Sequence, residues 1–142
     1  PLLFCQQRAH WRLDFPQDQK MDFPVTTKEY FDVLAKHPQL KYTEANTCAD
    51  YLSPDSTGSN YFIKLFKRAV EYAEKMDTFI YCVEYGVIDR ADNSSTLQWL
   101  MQIHEAFEKY NIGRALWTYK GMDYGLCDQR FEGLREMVLQ YM

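Results

Sequence analysis

The sequence predicts an α/β fold, because strand-like and helix-like runs alternate along the second half of the chain. An amphipathic helix is predicted over 60–76, an apolar strand over 79–83, a second amphipathic helix over 95–111 and a short strand run over 113–120. Alternation at this spacing is typical of parallel strands joined by right-handed crossovers. The run LLFC at 2–5 predicts an earlier strand of the same sheet.

The predicted architecture is a partial TIM (β/α)₈ barrel made of about its last three strand–helix units. A complete eight-unit barrel needs about 250 residues, whereas this chain has 142. We therefore expect residues 1–142 to be the C-terminal fragment of a single barrel domain. Residues 6–59 form a long loop excursion rich in Pro, Asp, Gln and Tyr, with one predicted helix in TTKEYFDVLAKH. So long a connection is uncommon and often functional.

The ends of the helices are predicted from capping residues. Asn60 is a candidate N-cap for the first long helix. Ser95 and Gln98 form a candidate capping box at the start of the next one. Asn111 or Gly113 can end that helix, because both residue types adopt the left-handed backbone of a helix C-terminus. The last segment, QRFEGLREMVLQYM, predicts a final helix interrupted by a glycine.

Composition and charge exclude several classes of partner. Sixteen basic and twenty acidic residues give a net charge of −4, which does not favour nucleic acid or an anionic membrane. No apolar run approaches the roughly 20 residues that span a bilayer. The start, PLLFCQQ, lacks a signal peptide's basic segment and cleavage site, and it also lacks a methionine. We expect a piece of a longer chain, and the compartment stays open.

Neither a metal nor a cofactor is predicted. The four cysteines lie far apart without a C-x-x-C pair, and the three histidines show no metal-ligand spacing. Two of the cysteines lie in apolar strand runs, where a free thiol behaves as a small hydrophobe. We therefore expect reduced, structural cysteines.

Two residues at predicted strand ends could carry chemistry. Glu84 interrupts the apolar run FIYCVEYG, and Trp117 occupies the matching place in GRALWTYK. Functional residues of a barrel lie at the C-terminal ends of its strands, and neighbouring strands are about 4.8 Å apart. A carboxylate beside a flat ring suits a sugar, because the carboxylate can stabilise or attack an oxocarbenium-like carbon. The alternative, a salt-bridged Glu84 and a core Trp117, is equally compatible with this spacing.

Most of residues 1–11 and 60–128 resembles glycoside hydrolase family five, the cellulase family. The residues that carry the resemblance are, in order, PLLFCQQRAHW, the E-Y-G of YCVEYGVID, LWTYK, and the glycine-bearing segment that follows. The set resembles the family's region from the end of strand 6 to strand 8. The excursion between the two stretches resembles it weakly.

The resemblance implies a retaining glycosidase that acts on β-linked glucans or related polysaccharides. It makes Glu84 the catalytic nucleophile and Trp117 a sugar-stacking platform next to the scissile bond. Trp11 falls where the family often has a substrate-facing aromatic side chain. Lys120 and Asp123, in the loop after the last strand, could hydrogen-bond sugar hydroxyls, although a purely solvated loop fits them equally well.

The sequence departs from the family in its acid/base residue. The family takes this glutamate from an N-E-P motif, which is absent here, and Gln7 replaces a commoner histidine. Asp89, Asp123 and Asp128 lie in the right part of the chain, but their spacing nominates none of them as the acid. We therefore expect the isolated chain to be inactive or severely impaired.

Other functions and partners stay open alongside this hypothesis. The chain could be a non-catalytic carbohydrate-binding or structural barrel remnant, or part of a barrel enzyme with different chemistry. A partial barrel also leaves a strand edge and apolar sheet surface uncovered. We accordingly predict self-association, or pairing with the missing barrel half.

Overall fold

The structure, a computed structural model, describes residues 23–24, 27–36 and 59–142. Its elements, in chain order, are α1 (Thr27–Lys36), α2 (Ser59–Lys75), β1 (Tyr81–Tyr85), α3 (Asn93–Tyr110), β2 (Gly113–Leu116), a 3-10 turn (Gln129–Phe131) and α4 (Arg135–Leu139). The predicted strand LLFC and most of the predicted excursion over 6–59 lie outside the described residues.

The two described strands form the α/β arrangement that the sequence predicts. β1 and β2 pair in parallel, with Tyr81 opposite Gly113 and Cys82 opposite Arg114. Helix α3 connects them as a crossover and packs against α2. Because the two strands are parallel, the carboxyl ends of β1 and β2 lie at the same edge of the sheet.

An aromatic cluster fills the space between the sheet and the two long helices. Phe62 of α2 meets the ring of Trp99 of α3 edge-on, with centroids 5.4 Å apart. Tyr85 of β1 meets Phe107 of α3 in the same way at 5.1 Å. Phe62 and Phe107 are fully buried. Edge-to-face contacts of this kind add about 0.5–1.5 kcal/mol to the burial of the rings, so the cluster fixes β1 firmly against α3.

The caps of the helices correct two sequence predictions. Helix α3 begins at Asn93, because the Asp92 carboxylate accepts a hydrogen bond from the Ser95 backbone N–H at 2.9 Å. The predicted N-cap at Ser95 is therefore wrong by three residues. The predicted N-cap at Asn60 is also wrong, because α2 already includes Ser59. The predicted end at Asn111 is confirmed, with a left-handed backbone at that residue (φ 49°, ψ 48°).

Strand β1 contains one more residue than its partner between two pairs of the ladder. Cys82 pairs with Arg114 and Tyr85 with Leu116, so three steps along β1 match two along β2. Such a β-bulge redirects a side chain. Cys82 and Tyr85 both pack on the helix side of the sheet. Regular alternation would place Cys82 and Tyr85 on opposite faces, and Glu84, which lies between them, is exposed.

Several apolar side chains in and just before β1 are exposed. Val83 is 77% exposed, and Tyr81 and the preceding Phe79 are also largely accessible. Exposed apolar residues on a strand are compatible with a partial barrel, and the uncovered sheet surface predicted for it stays a prediction. Self-association, or pairing with further barrel units, stays a prediction.

The end of the chain is less regular than the sequence predicts. Gly133, with φ +81°, separates the 3-10 turn from the short helix α4, so the predicted interruption of the last helix lies at this glycine. In the ranges that the structure describes, no helix combines the length and the apolar character needed to cross a bilayer.

Candidate active site

Glu84 lies at the carboxyl end of β1, inside the bulge. The side chain is exposed, and no described residue forms an ion pair with its carboxylate. The backbone at this point is held, because the Cys82 thiol donates a 3.3 Å hydrogen bond to the Glu84 carbonyl. Burial raises the pKa of the Cys82 thiol, so this thiol stays protonated and able to donate at neutral pH.

Trp117 follows directly after the last residue of β2. Its backbone N–H donates to the Tyr85 carbonyl at 2.7 Å, which continues the ladder one step beyond the strand. Leu116 packs against the core, so alternation directs the next side chain to the opposite face. The indole is 37% exposed. Trp117 is therefore not a core residue.

Glu84 and Trp117 line one cavity of about 300 Å³, a volume at the lower end of the range for ligand pockets. The rest of the wall is mostly aromatic or apolar, and includes Phe66, Tyr85, Trp99, Ile103 and Tyr124. Glu84 is the single carboxylate among the lining residues in the described ranges. The cavity thus offers a flat ring, an apolar floor and one acidic group.

Gly86 allows the two strand ends to approach each other closely. A Cβ atom at this position would lie 2.2 Å from the Trp117 carbonyl oxygen and 3.3 Å from the ring of Tyr124. No side chain fits into this space. A glycine is therefore needed at position 86 for steric reasons. The same close approach ties the position of Trp117 to the strand that carries the carboxylate.

Tyr124 is a cavity residue that the sequence pattern did not single out. The turn before it contains Gly121, Met122 and Asp123, all with positive φ, and this tight turn returns the chain to the cavity. The only sequence signal is an aromatic residue within the turn-rich GMDYG directly after a strand. Composition cannot separate such a residue from an ordinary loop tyrosine.

Lys120 and Asp123 are exposed in the loop after β2, and neither lines the cavity with Glu84. The Asp123 carbonyl accepts a hydrogen bond from the Asp89 N–H at 2.6 Å, and the Asp128 carboxylate accepts one from the Gly121 N–H at 3.1 Å. These contacts hold the loops together. The proposed sugar-binding roles of Lys120 and Asp123 stay predictions.

Trp11 lies outside the described residues, so its predicted role is also untested. No group of three His, Cys, Asp or Glu side chains able to hold a metal ion occurs within the described ranges.

The chain is similar to cellulases along most of its length. It is 28% identical over 131 residues to Endoglucanase C of Acetivibrio thermocellus, which covers 91% of this chain and 36% of that protein. It is 43% identical over 114 residues to Cellodextrinase A of Ruminococcus flavefaciens, which covers 80% of this chain and 25% of that protein. The chain therefore spans between a quarter and about a third of these curated relatives.

Solved structures show the same likeness, although no family model matches the chain. The endoglucanase Cel5A of Thermotoga maritima superposes with a TM-score of 0.52 at 25% identity over 63% of this chain and 28% of that one. The fold is thus part of a TIM barrel. More particularly, the predicted resemblance to the C-terminal part of a family five cellulase is confirmed.

Proposed function

We propose that this chain carries the nucleophile half of a retaining glycoside hydrolase site that acts on β-linked glucans or related polysaccharides. One observation carries the proposal: Glu84 and Trp117 line the same cavity at the carboxyl ends of adjacent parallel strands. That edge of a barrel is where catalytic residues lie.

In this mechanism the Glu84 carboxylate attacks the anomeric carbon of a sugar that packs against the Trp117 indole. The glycosidic bond breaks, a glycosyl ester forms on Glu84, and the leaving oxygen takes a proton from an acid. Water then attacks the ester and releases the sugar with retained configuration. An exposed carboxylate without an ion pair in the described part of the chain is suited to this attack, because no cation competes for its charge.

The acid must come from another residue, about 5–5.5 Å from the nucleophile in a retaining enzyme. Among the cavity residues that the structure describes, Glu84 is the sole acid. The proposed site thus holds one of the two carboxyl groups that a retaining enzyme needs. We therefore still predict that the isolated chain hydrolyses its substrate poorly.

The substrate class is proposed from the names of the relatives. They include an endoglucanase, a cellodextrinase and an endo-beta-1,4-glucanase solved with its substrate. The similar endoglucanase Cel5A has been solved in complex with cellobiose and with mannotriose. Both sugars suit a cavity with a flat indole wall and few polar groups.

The test is covalent labelling with the 2,4-dinitrophenyl glycoside of 2-deoxy-2-fluorocellobiose, followed by intact-mass analysis and peptide mapping. Its leaving group needs little acid assistance, so the probe reports on the nucleophile even without the acid. Two samples are compared: this chain and the longest natural polypeptide that contains it. We expect one adduct on the peptide that holds Glu84 in the longer polypeptide.

Two variants control the labelling experiment. Glu84→Gln should abolish the adduct, whereas Glu105→Gln, an exposed change on α3, should leave it intact. Failure of the folded longer polypeptide to form an adduct at Glu84 would refute the hydrolase. If the unlabelled polypeptide nevertheless binds cello-oligosaccharides, a non-catalytic carbohydrate-binding role replaces the proposed hydrolase activity.

A further inference from the structure

Arg130 connects the end of the chain to the loop that follows the candidate nucleophile. It lies in the 3-10 turn, and its guanidinium group donates through Nη1 to the Ile88 carbonyl at 2.7 Å and through Nη2 to the Val87 carbonyl at 2.5 Å. The two carbonyls are consecutive, so the planar fork of the arginine grips one short piece of backbone. A lysine could not make both bonds in this geometry.

The surroundings of Arg130 indicate a structural cation rather than a surface charge. The guanidinium group lies over the ring of buried Phe131, 4.1 Å from its centroid. Burial lowers the pKa of Arg130, while the carboxylates of Asp89 and Asp128 oppose that shift. A cation withdrawn from water is costly unless it is well paired, and here its two bonds go to the loop after β1.

The loop after β1 fixes the course of the backbone that follows Glu84. Val87 and Ile88 are buried, and the Asp89 N–H is bonded to the Asp123 carbonyl. Glu84 itself lies between the paired residues Cys82 and Tyr85, at the bulge. The ladder therefore constrains Glu84 less than its neighbours, and the direction of its side chain depends on the backbone that follows it.

We propose that Arg130 is a positioning residue for Glu84: by gripping the carbonyls of Val87 and Ile88, it fixes the loop after β1 and with it the direction of the nucleophile. This inference rests on the proposed function. Arg130 does not line the cavity with Glu84, so its role is to orient another residue.

The test uses Arg130→Lys in the longest natural polypeptide that contains the chain. Arg68→Lys is the matched control, because Arg68 is exposed on α2. The labelling kinetics of the fluorinated cellobioside give a maximal rate and a half-saturating concentration. We expect the maximal rate to fall about 10- to 100-fold, the size of effect that a misplaced reacting group produces, with little change in half-saturation. The control should behave as wild type.

Amide hydrogen exchange gives a second readout that does not depend on activity. The Asp89 and Ala91 amides donate to the Asp123 and Ile88 carbonyls, so they should exchange faster in Arg130→Lys than in Arg68→Lys. Arg130→Met keeps the packing over Phe131 without the hydrogen bonds, and it replaces the lysine variant if that variant does not fold.

The outcomes separate the two proposals. A wild-type polypeptide that is never labelled at Glu84 overturns the hydrolase, and the positioning role with it. A labelled wild type with an equally fast Arg130→Lys or Arg130→Met variant overturns the positioning role alone. Wild-type Asp89 and Ala91 amides that exchange as fast as those of an unstructured loop also overturn it, whatever the variants do.

Discussion

Gly86 and Trp117 touch through their backbones: the Trp117 carbonyl oxygen occupies the space that a Cβ atom on Gly86 would need. The two residues follow the ends of neighbouring strands, and the Trp117 N–H donates to the carbonyl of Tyr85, the residue before Gly86. These contacts thus fix the backbone of Trp117 relative to the end of the strand that carries Glu84.

Replacing Gly86 with alanine should displace Trp117. Overpacking of this kind costs about 1–3 kcal/mol of folding stability, and we expect slower covalent labelling of Glu84 and altered acrylamide quenching of tryptophan fluorescence. Gly133→Ala is the matched control, because Gly133 has a positive φ but a Cβ atom added to it would meet no atom within 4 Å. It should lose comparable stability while leaving labelling and quenching unchanged. Equal effects of both variants on labelling would contradict this explanation of Gly86.

Removing the carboxylate of Glu84 should create an enzyme that a small anion can rescue. In the longest natural polypeptide that contains the chain, Glu84→Gly should lower the turnover of dinitrophenyl cellobioside by at least about 10³-fold, since loss of a nucleophile is among the most damaging changes to an enzyme. Added azide can enter the vacated space and attack the anomeric carbon. The product should be the α-linked glycosyl azide. A β-linked azide would instead assign Glu84 the acid/base role.

Truncating Trp117 should weaken sugar binding. Burial of an aromatic side chain is worth about 1.5–3 kcal/mol, so Trp117→Ala should reduce the affinity for cello-oligosaccharides about 10- to 100-fold. Calorimetric titration in a Glu84→Gln background measures binding without turnover. Tyr72→Ala is the control, because this aromatic residue is exposed on α2 and does not line the cavity. Unchanged affinity in the Trp117 variant would remove the stacking platform from the proposed site.

The ion pair between Glu108 and Arg114 should contribute to stability in a pH-dependent way. Arg114 Nη1 donates to the Glu108 carboxylate at 2.8 Å, and this hydrogen bond lowers the pKa of Glu108 below its ordinary value of 4.5. A lowered pKa adds stability above the unfolded value and loses it as the pH falls through the folded value. The difference in unfolding free energy between wild type and Glu108→Gln should therefore be complete at neutral pH and disappear in acid.

Urea unfolding at a series of pH values measures this difference. The same comparison in an Arg114→Met background is the control, and there the pH dependence should be much smaller, because the hydrogen bond and charge of Arg114, the main causes of the shift, are gone. A difference that persists unchanged down to about pH 3 would show that Glu108 acts through packing instead.

The position of the candidate nucleophile could be predicted from sequence because it depends on local chemistry. The run FIYCV is apolar and β-prone, and Glu84 is the first charged residue after it. The direction of the Glu84 side chain could not be predicted in the same way. It depends on a bulge that exists only in the pairing with β2, whose residues come about thirty positions later.

The helix caps and the loop contacts show the same limit. Ser95 has the right type for an N-cap, but Asp92 caps the helix three residues earlier by accepting from the Ser95 N–H, and the Ser95 hydroxyl donates to Asp92 and accepts from the Phe23 N–H. Arg130 reaches a carbonyl 42 residues away in sequence. No pattern of residue types indicates such a contact, since most arginines are solvated.

Because of the bulge in β1, the position of a residue in the sequence no longer predicts which face of the sheet its side chain occupies. In a strict strand Cys82 and Tyr85 would point to opposite faces, yet both pack on the core side, so counting in twos from the half-buried Cys82 fails within three residues. Conversely, a strand without Val83 would have one residue, Glu84, between Cys82 and Tyr85, which is the spacing of a regular ladder against Arg114 and Leu116. A homologue one residue shorter at this point can therefore keep the acid at the same end of the strand, and a gap there in an alignment is not a sign that the active site has been lost.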